Sequence, residues 1–254
     1  MGNRLAGRVA LVSGSTRGIG RTIAETFAAE GAKVAVTGRT VEKGQKVVDL
    51  IRGNGGEAEF FQLDVTNEQS VHDTIEAVVA RFGSLTTLIN NAAPTTEVST
   101  TVKPLHEYST EEWNGIITSA LTGNVFWASK YAWPHLAAAG HSTIVNISSG
   151  QSLRGFTGFG AYAAAKGAMN SVTRTLAIEG APQGIRCNGI IVGRVVAGRG
   201  DSGVGMSKAA NSIGNPGQIA ATALFLASDE SSFINGDLIT ADGGVTINGD
   251  LLMG

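Results

Sequence analysis

Short apolar runs along this chain alternate with longer stretches in which apolar positions recur every three or four residues. The runs "RVALVS" (8–13), "KVAVT" (33–37), "EFFQLD" (59–64), "TTLIN" (86–90), "STIVNIS" (142–148), "IRCNGII" (185–191) and "LITAD" (238–242) predict seven strands. Helical periodicity near 18–30, 41–53, 68–82, 110–138, 160–180 and 216–227 fills the intervals. Strands this uniformly apolar are covered on both faces, and strands joined through helices run parallel. The expected fold is α/β: a doubly wound, seven-stranded parallel sheet with helices on both faces, in a single domain over 1–254. "STEEW" (109–113) reads as a capping box that starts a helix, Ser109 bonding the first turn and Glu112 reaching back.

Composition narrows the function more than the fold. With 254 residues the chain can bury one sizeable core, and no proline-rich linker or internal repeat divides it. Charged residues are 16% of the chain and the net charge is −2, which gives no electrostatic footprint for nucleic acid or an anionic membrane. Small metabolites are the expected partners. The single cysteine, Cys187, cannot form an internal disulfide and reads as a small buried hydrophobe in a reducing compartment. No stretch reaches membrane-spanning length without charges or glycines, so a cytoplasmic protein is expected. His72, His106, His135 and His141 lack ligand spacing, and no metal is assigned.

Directly after the first predicted strand stands "SGSTRGIG" (13–20), with Gly14, Gly18 and Gly20 opening a helix. A sharp strand-to-helix turn needs residues free of a β-carbon, and the exposed amides at that helix start attract a pyrophosphate. The spacing is G-x-x-x-G-x-G rather than G-x-G-x-x-G, so the dinucleotide signature is matched in context and not in letter. Taken alone the turn could be a ligand-free βα connection; its place after the first of seven strands favours a nucleotide. At the end of the second strand an acidic residue would bind a ribose 2′-hydroxyl, and a basic one a 2′-phosphate. Thr37-Gly38-Arg39 offers the basic one, with Arg17 a second cation in the glycine loop, so NADP(H) is preferred over NAD(H).

The stretch "GAYAAAKGAMNSV" (160–172) is alanine-rich and hence helical, which stacks Tyr162 and Lys166 on one face. By itself this is an ordinary helix. Combined in order with "SGSTRGIG", "NNAA" (90–93) and "ISS" (147–149), it resembles the short-chain dehydrogenase/reductase family, and among its members 3-oxoacyl-acyl-carrier-protein reductases. The likeness runs from "GRVALVSGSTRGIG" to "FLASDESSFINGDLITADGG" (225–244). It implies a Rossmann-type fold, a homotetramer, and an oxidoreductase interconverting a carbonyl and a secondary alcohol. It further implies that Gly14, Ser15, Arg17, Gly18, Ile19 and Gly20 line the phosphates, and that Arg39 meets the 2′-phosphate. Asp64 and Val65 would flank the adenine, and Asn91 and Ala92 the ribose region. Ser149, Tyr162 and Lys166 fall at the catalytic positions, with Tyr162 and Lys166 also at the nicotinamide ribose. A phenol of ordinary pKa near 10 exchanges protons poorly at neutrality, and the Lys166 ammonium is expected to lower it.

The chain departs from the family pattern near the nicotinamide end. Counting seven residues from Trp113, Ala120 stands where an asparagine usually holds a water beside the lysine; Asn124 lies one turn further. Ala93 replaces the glycine of "NNAG", Val192-Gly193 replaces "PG", and Ala197 replaces a threonine, leaving backbone near Val195 to meet the carboxamide. These losses motivate an alternative, a nucleotide-binding homologue with weak or no turnover. A sugar-nucleotide epimerase would need further substrate-binding structure. The segments 94–109 and about 194–214 should frame the substrate, the second as a lid, with Gln151, Leu153, Arg154, Phe156 and Phe159 nearby. "GMSKAA" and the tail "INGDLLMG" are expected to pack on a neighbouring subunit.

Overall fold

The computed structural model describes residues 2–94, 102–195 and 213–247. Its strands are β1 (Val9–Val12), β2 (Lys33–Gly38), β3 (Glu57–Gln62), β4 (Thr87–Asn90), β5 (Ser142–Ser149), β6 (Ile185–Val192) and β7 (Leu238–Ala241). All pair in parallel in one sheet, in the order β3-β2-β1-β4-β5-β6-β7. The helices are α1 (Gly18–Ala29), α2 (Val41–Gly53), α3 (Glu68–Phe82), α4 (Thr110–Ile117), α5 (Ala128–Ala139), α6 (Gly160–Gly180) and α7 (Pro216–Ala227).

Side chains alternate faces along each strand, and the two apolar layers follow from that period. Ala10 and Val12 of β1 join Val34 and Val36 of β2 beneath Ile23 and Phe27 of α1, Val47 of α2 and Ile219 of α7. Val9 and Leu11 point the other way, packing with Ala35, Ile144 and Cys187 under α3, α5 and α6. Each fully buried leucine or isoleucine contributes about 1.5–3 kcal/mol, so a one-residue slip of β1 would exchange its side chains between the two layers.

Boundaries follow local chemistry. The predicted capping box at Ser109 is present, with the Ser109 hydroxyl accepting from the Glu112 amide and the Glu112 carboxylate accepting from the Ser109 amide. A second box joins Asn215 and Gln218 at the start of α7, with Pro216 in the first turn. Two predicted elements differ. The run 59–64 is displaced, because pairing with β2 places Glu57 beside Lys33 and ends the ladder at Gln62. Asp64 lies beyond it in a turn, its carboxylate accepting from the Thr66 amide and hydroxyl.

The helix expected over 110–138 is instead three consecutive segments, with a π-helix at Thr118–Trp127 between α4 and α5. The wider turn brings two adjacent residues inward. A β-carbon on Gly123 would lie 1.6 Å from the Val65 carbonyl oxygen, so only glycine fits there. Asn124 is fully buried and its Oδ1 accepts a 2.6 Å hydrogen bond from the Ser13 hydroxyl. No helix among the described residues is long and apolar enough to cross a membrane.

Candidate active site

The carboxyl ends of the strands meet at one edge of the sheet, and the order reverses between β1 and β4, where open α/β sheets hold ligands. A cleft of about 520 Å³ opens there. The glycine turn forms one wall. Gly14 adopts φ +63°, a left-handed conformation costly for residues with a β-carbon, and a β-carbon on Gly20 would sit 2.4 Å from Asn91 Nδ2. The amide end of α1 therefore approaches the β4 loop closely and faces the cleft, along with Arg17, Gly18 and Ile19. Arg39, Asp64 and Val65 line the far side, and Asn91 and Ala92 lie between.

Ser13 holds the floor. A hydroxyl has one proton and two lone pairs. Ser13 Oγ accepts from the Asn91 and Ala92 amides at 2.8 and 2.9 Å, and its shortest acceptor is Asn124 Oδ1. Asn91 Nδ2 in turn donates to the Ser13 and Gly14 carbonyls. The carboxamide of Asn91 thus fastens the loop to β1.

Among the nucleotide-contact residues expected from the sequence, Ser15 is the one the structure places elsewhere. It is fully buried; its hydroxyl donates to the Val12 carbonyl and accepts from the Thr37 amide, and its own amide donates to the Thr37 carbonyl. Those bonds tie β1 to β2. Thr16 lines the cleft in its place. Sequence reading also missed Pro94, Thr66 and Ser119, which line the cleft by backbone course rather than by any motif.

Ser149, Tyr162, Lys166 and Val195 line the same cleft as the glycine turn. Ser149 ends β5 opposite Val192 of β6, and Tyr162 and Lys166 come from the first two turns of α6. Lys166 is 1% exposed; its Nζ donates to the Ile147 carbonyl at 2.7 Å and lies 5.7 Å from the Tyr162 ring centre. Burial governs both titrations. It pushes the Tyr162 phenol up to about 12, opposed only by a hydrogen bond with the Ser149 hydroxyl. It pushes the Lys166 amine down to about 7. Burial acts against the expected lowering of the phenol by the Lys166 ammonium, raising the phenol and depressing the amine.

Ala120 is wholly buried and does not line the cleft; Ser119 does, with its hydroxyl donating to the Gly115 carbonyl. Asn124 is committed to Ser13 and stands on the floor rather than at the lysine. The expected lid over 194–214 falls largely outside the described residues, as do residues 95–101 of the segment 94–109, "GMSKAA" and most of the tail. Arg154 is partly exposed, lies 5.6 Å over the Phe156 ring and helps hold the Asp242 carboxyl below its ordinary range.

A cleft at the switch point, lined by a glycine turn and by a serine, a tyrosine and a lysine, is the arrangement expected of a nicotinamide oxidoreductase, and comparison with known proteins shows the family. The family model described as enoyl-(acyl carrier protein) reductase matches residues 14–246. The chain belongs to the short-chain dehydrogenase/reductase family. It is 37% identical to 2,5-dichloro-2,5-cyclohexadiene-1,4-diol dehydrogenase LinX of Sphingobium indicum, covering 97% of this chain and 99% of that one. It is 38% identical to trans-4-hydroxycyclohexanecarboxylate dehydrogenase of Sinomonas cyclohexanicum, with coverage of 98% and 96%. With 3-oxoacyl-[acyl-carrier-protein] reductase FabG of Escherichia coli it shares 35% identity over 94% and 97%. A solved structure from Sinorhizobium meliloti 1021, described as a candidate short-chain alcohol dehydrogenase, superposes with TM-score 0.86 at 31% identity, covering 96% and 98%.

Proposed function

We propose that this protein is an NADP(H)-dependent oxidoreductase that interconverts a carbonyl and a secondary alcohol, with Ser149, Tyr162 and Lys166 as its catalytic residues. The observation that carries the reading is the opening of all three, with the glycine turn and two arginines, onto one cleft. The residues present suit a dinucleotide: a β-carbon at Gly20 would close the approach at the head of α1, and exposed Arg17 and Arg39 supply positive charge where a 2′-phosphate would lie. When bound, the nicotinamide supplies or accepts hydride.

The chain's own residues do the rest. Tyr162 as the phenol gives its proton to the carbonyl oxygen in reduction, and as the phenolate takes the hydroxyl proton of the alcohol in oxidation. Ser149 donates a hydrogen bond to that oxygen where charge develops. Lys166, whose amine burial makes less basic, would bond the ribose hydroxyls, as the family resemblance implies. Backbone near Val195 completes the nicotinamide end.

Two substrate classes follow from the relatives, alicyclic secondary alcohols and 3-oxoacyl thioesters. The test follows nucleotide absorbance with cyclohexanol and cyclopentanol derivatives in one arm and β-ketoacyl thioesters in the other, with NADP(H) and NAD(H) each supplied. Turnover in either arm with NADP(H) favoured supports the proposal. Nucleotide-induced thermal stabilisation with no turnover across the panel supports the weakly active homologue instead. The family resemblance also motivates a cytoplasmic homotetramer, which mass photometry and cell fractionation check.

A further inference from the structure

The polar face of α6 continues past Lys166. One turn on, Asn170 is buried against the end of β5, 6% exposed, on a helix otherwise rich in alanine and glycine. A buried carboxamide is costly unless both its ends are paired. Asn170 Oδ1 accepts from the Ser148 hydroxyl at 2.6 Å, and Nδ2 donates to the Ser152 hydroxyl at 2.8 Å. The Ser152 hydroxyl then donates to the carbonyl of Ser149 at 2.6 Å. Ser148 and Ser149 are consecutive, so these three bonds close a ring around the catalytic serine. The ring fixes the backbone on both sides of Ser149 to the helix that bears Tyr162 and Lys166.

We infer that Asn170 is a positioning residue that sets Ser149 against Tyr162. This rests on the function proposed above. Two observations favour positioning over mere core filling. Both polar ends of the carboxamide reach residues flanking Ser149, and the serine hydroxyl in question is the group that bonds the phenol. The nucleotide end of the cleft lies on other elements, the glycine turn and the loops after β2 and β3, which the ring does not touch.

The test uses the full-length protein, an active substrate from the panel above, and two variants. Asn170→Leu keeps the volume and removes both hydrogen bonds; Ser152→Ala, at a partly exposed turn position, opens the ring without disturbing the core. Each is expected to lower kcat about ten-fold, with nucleotide Kd within about two-fold of wild type, because small misplacements of reacting groups act on the chemical step. The double variant should be no slower than Asn170→Leu alone, as both break one ring. Should Asn170→Leu fail to fold, Ser152→Ala alone decides. Unchanged kcat in the folded variants, or nucleotide affinity lost in parallel with kcat, overturns the positioning role and leaves the proposed function standing. A wild-type protein that binds nucleotide but turns over nothing in the panel overturns both.

Discussion

Replacing Lys166 by methionine removes a buried amine behind the cleft and leaves an apolar side chain of similar length. In the unfolded chain a lysine holds its proton up to about 10.5; in the folded protein burial brings that down to about 7. Between those values the unfolded state binds more protons, so wild-type stability rises with pH across this window and the burial penalty is full below it. The whole displacement corresponds to on the order of 5 kcal/mol. Only its lower part can be read cleanly. The Cys187 thiol and the Tyr162 phenol are both raised by burial, and each costs stability once pH passes its own unfolded value near 9 or 10. From pH 7 to 8.5, wild type should therefore gain on the order of 1–2 kcal/mol that Lys166→Met does not. Urea unfolding of nucleotide-free protein, followed by tryptophan fluorescence at several pH values in this range, measures the difference. Parallel pH dependence in the two proteins would refute the reasoning, since it would mean that the amine is no less basic folded than unfolded.

Three further outcomes are expected. Tyr162→Phe should lower kcat by about two to four orders of magnitude in stopped-flow absorbance, with nucleotide Kd little changed; retained turnover would remove the phenol as proton donor. Arg39→Asp should weaken NADP+ by about ten- to a hundred-fold in fluorescence titration and spare or improve NAD+, the loss of a charge-assisted contact costing about 1.5–3 kcal/mol. Gly123→Ala drives a methyl group to within 1.6 Å of the Val65 oxygen, a backbone atom that cannot rotate away. Overpacking of this kind costs about 1–3 kcal/mol or more, so Tm should fall by about 5 °C or more in a thermal melt; an unchanged Tm would mean that the π-helix does not press on that loop.

The glycine turn was legible because its requirement is local: a chain that reverses from strand to helix within a few residues needs positive φ, and Gly14 supplies it. The course of the Ser15 side chain was not legible, for the opposite reason. Nothing in "SGSTRG" distinguishes a hydroxyl aimed at a phosphate from one aimed at the Thr37 amide; the β1–β2 register decides that. The π-helix was invisible because the contacts it makes, such as the Val65 carbonyl lying against Gly123, join residues far apart in the chain.

Period and turn chemistry determined the seven strands, the helix starts and the doubly wound class, since each depends on neighbours within a few residues. The sequence also carried Tyr162 and Lys166 to one helical face, because four residues make about one turn. Tertiary structure alone decided how burial shifts those two groups, where Ala120, Ser119 and Asn124 face, and that Asn170 closes a ring on Ser149. Burial and hydrogen bonding across elements are properties of the packed chain, and no window of sequence contains them.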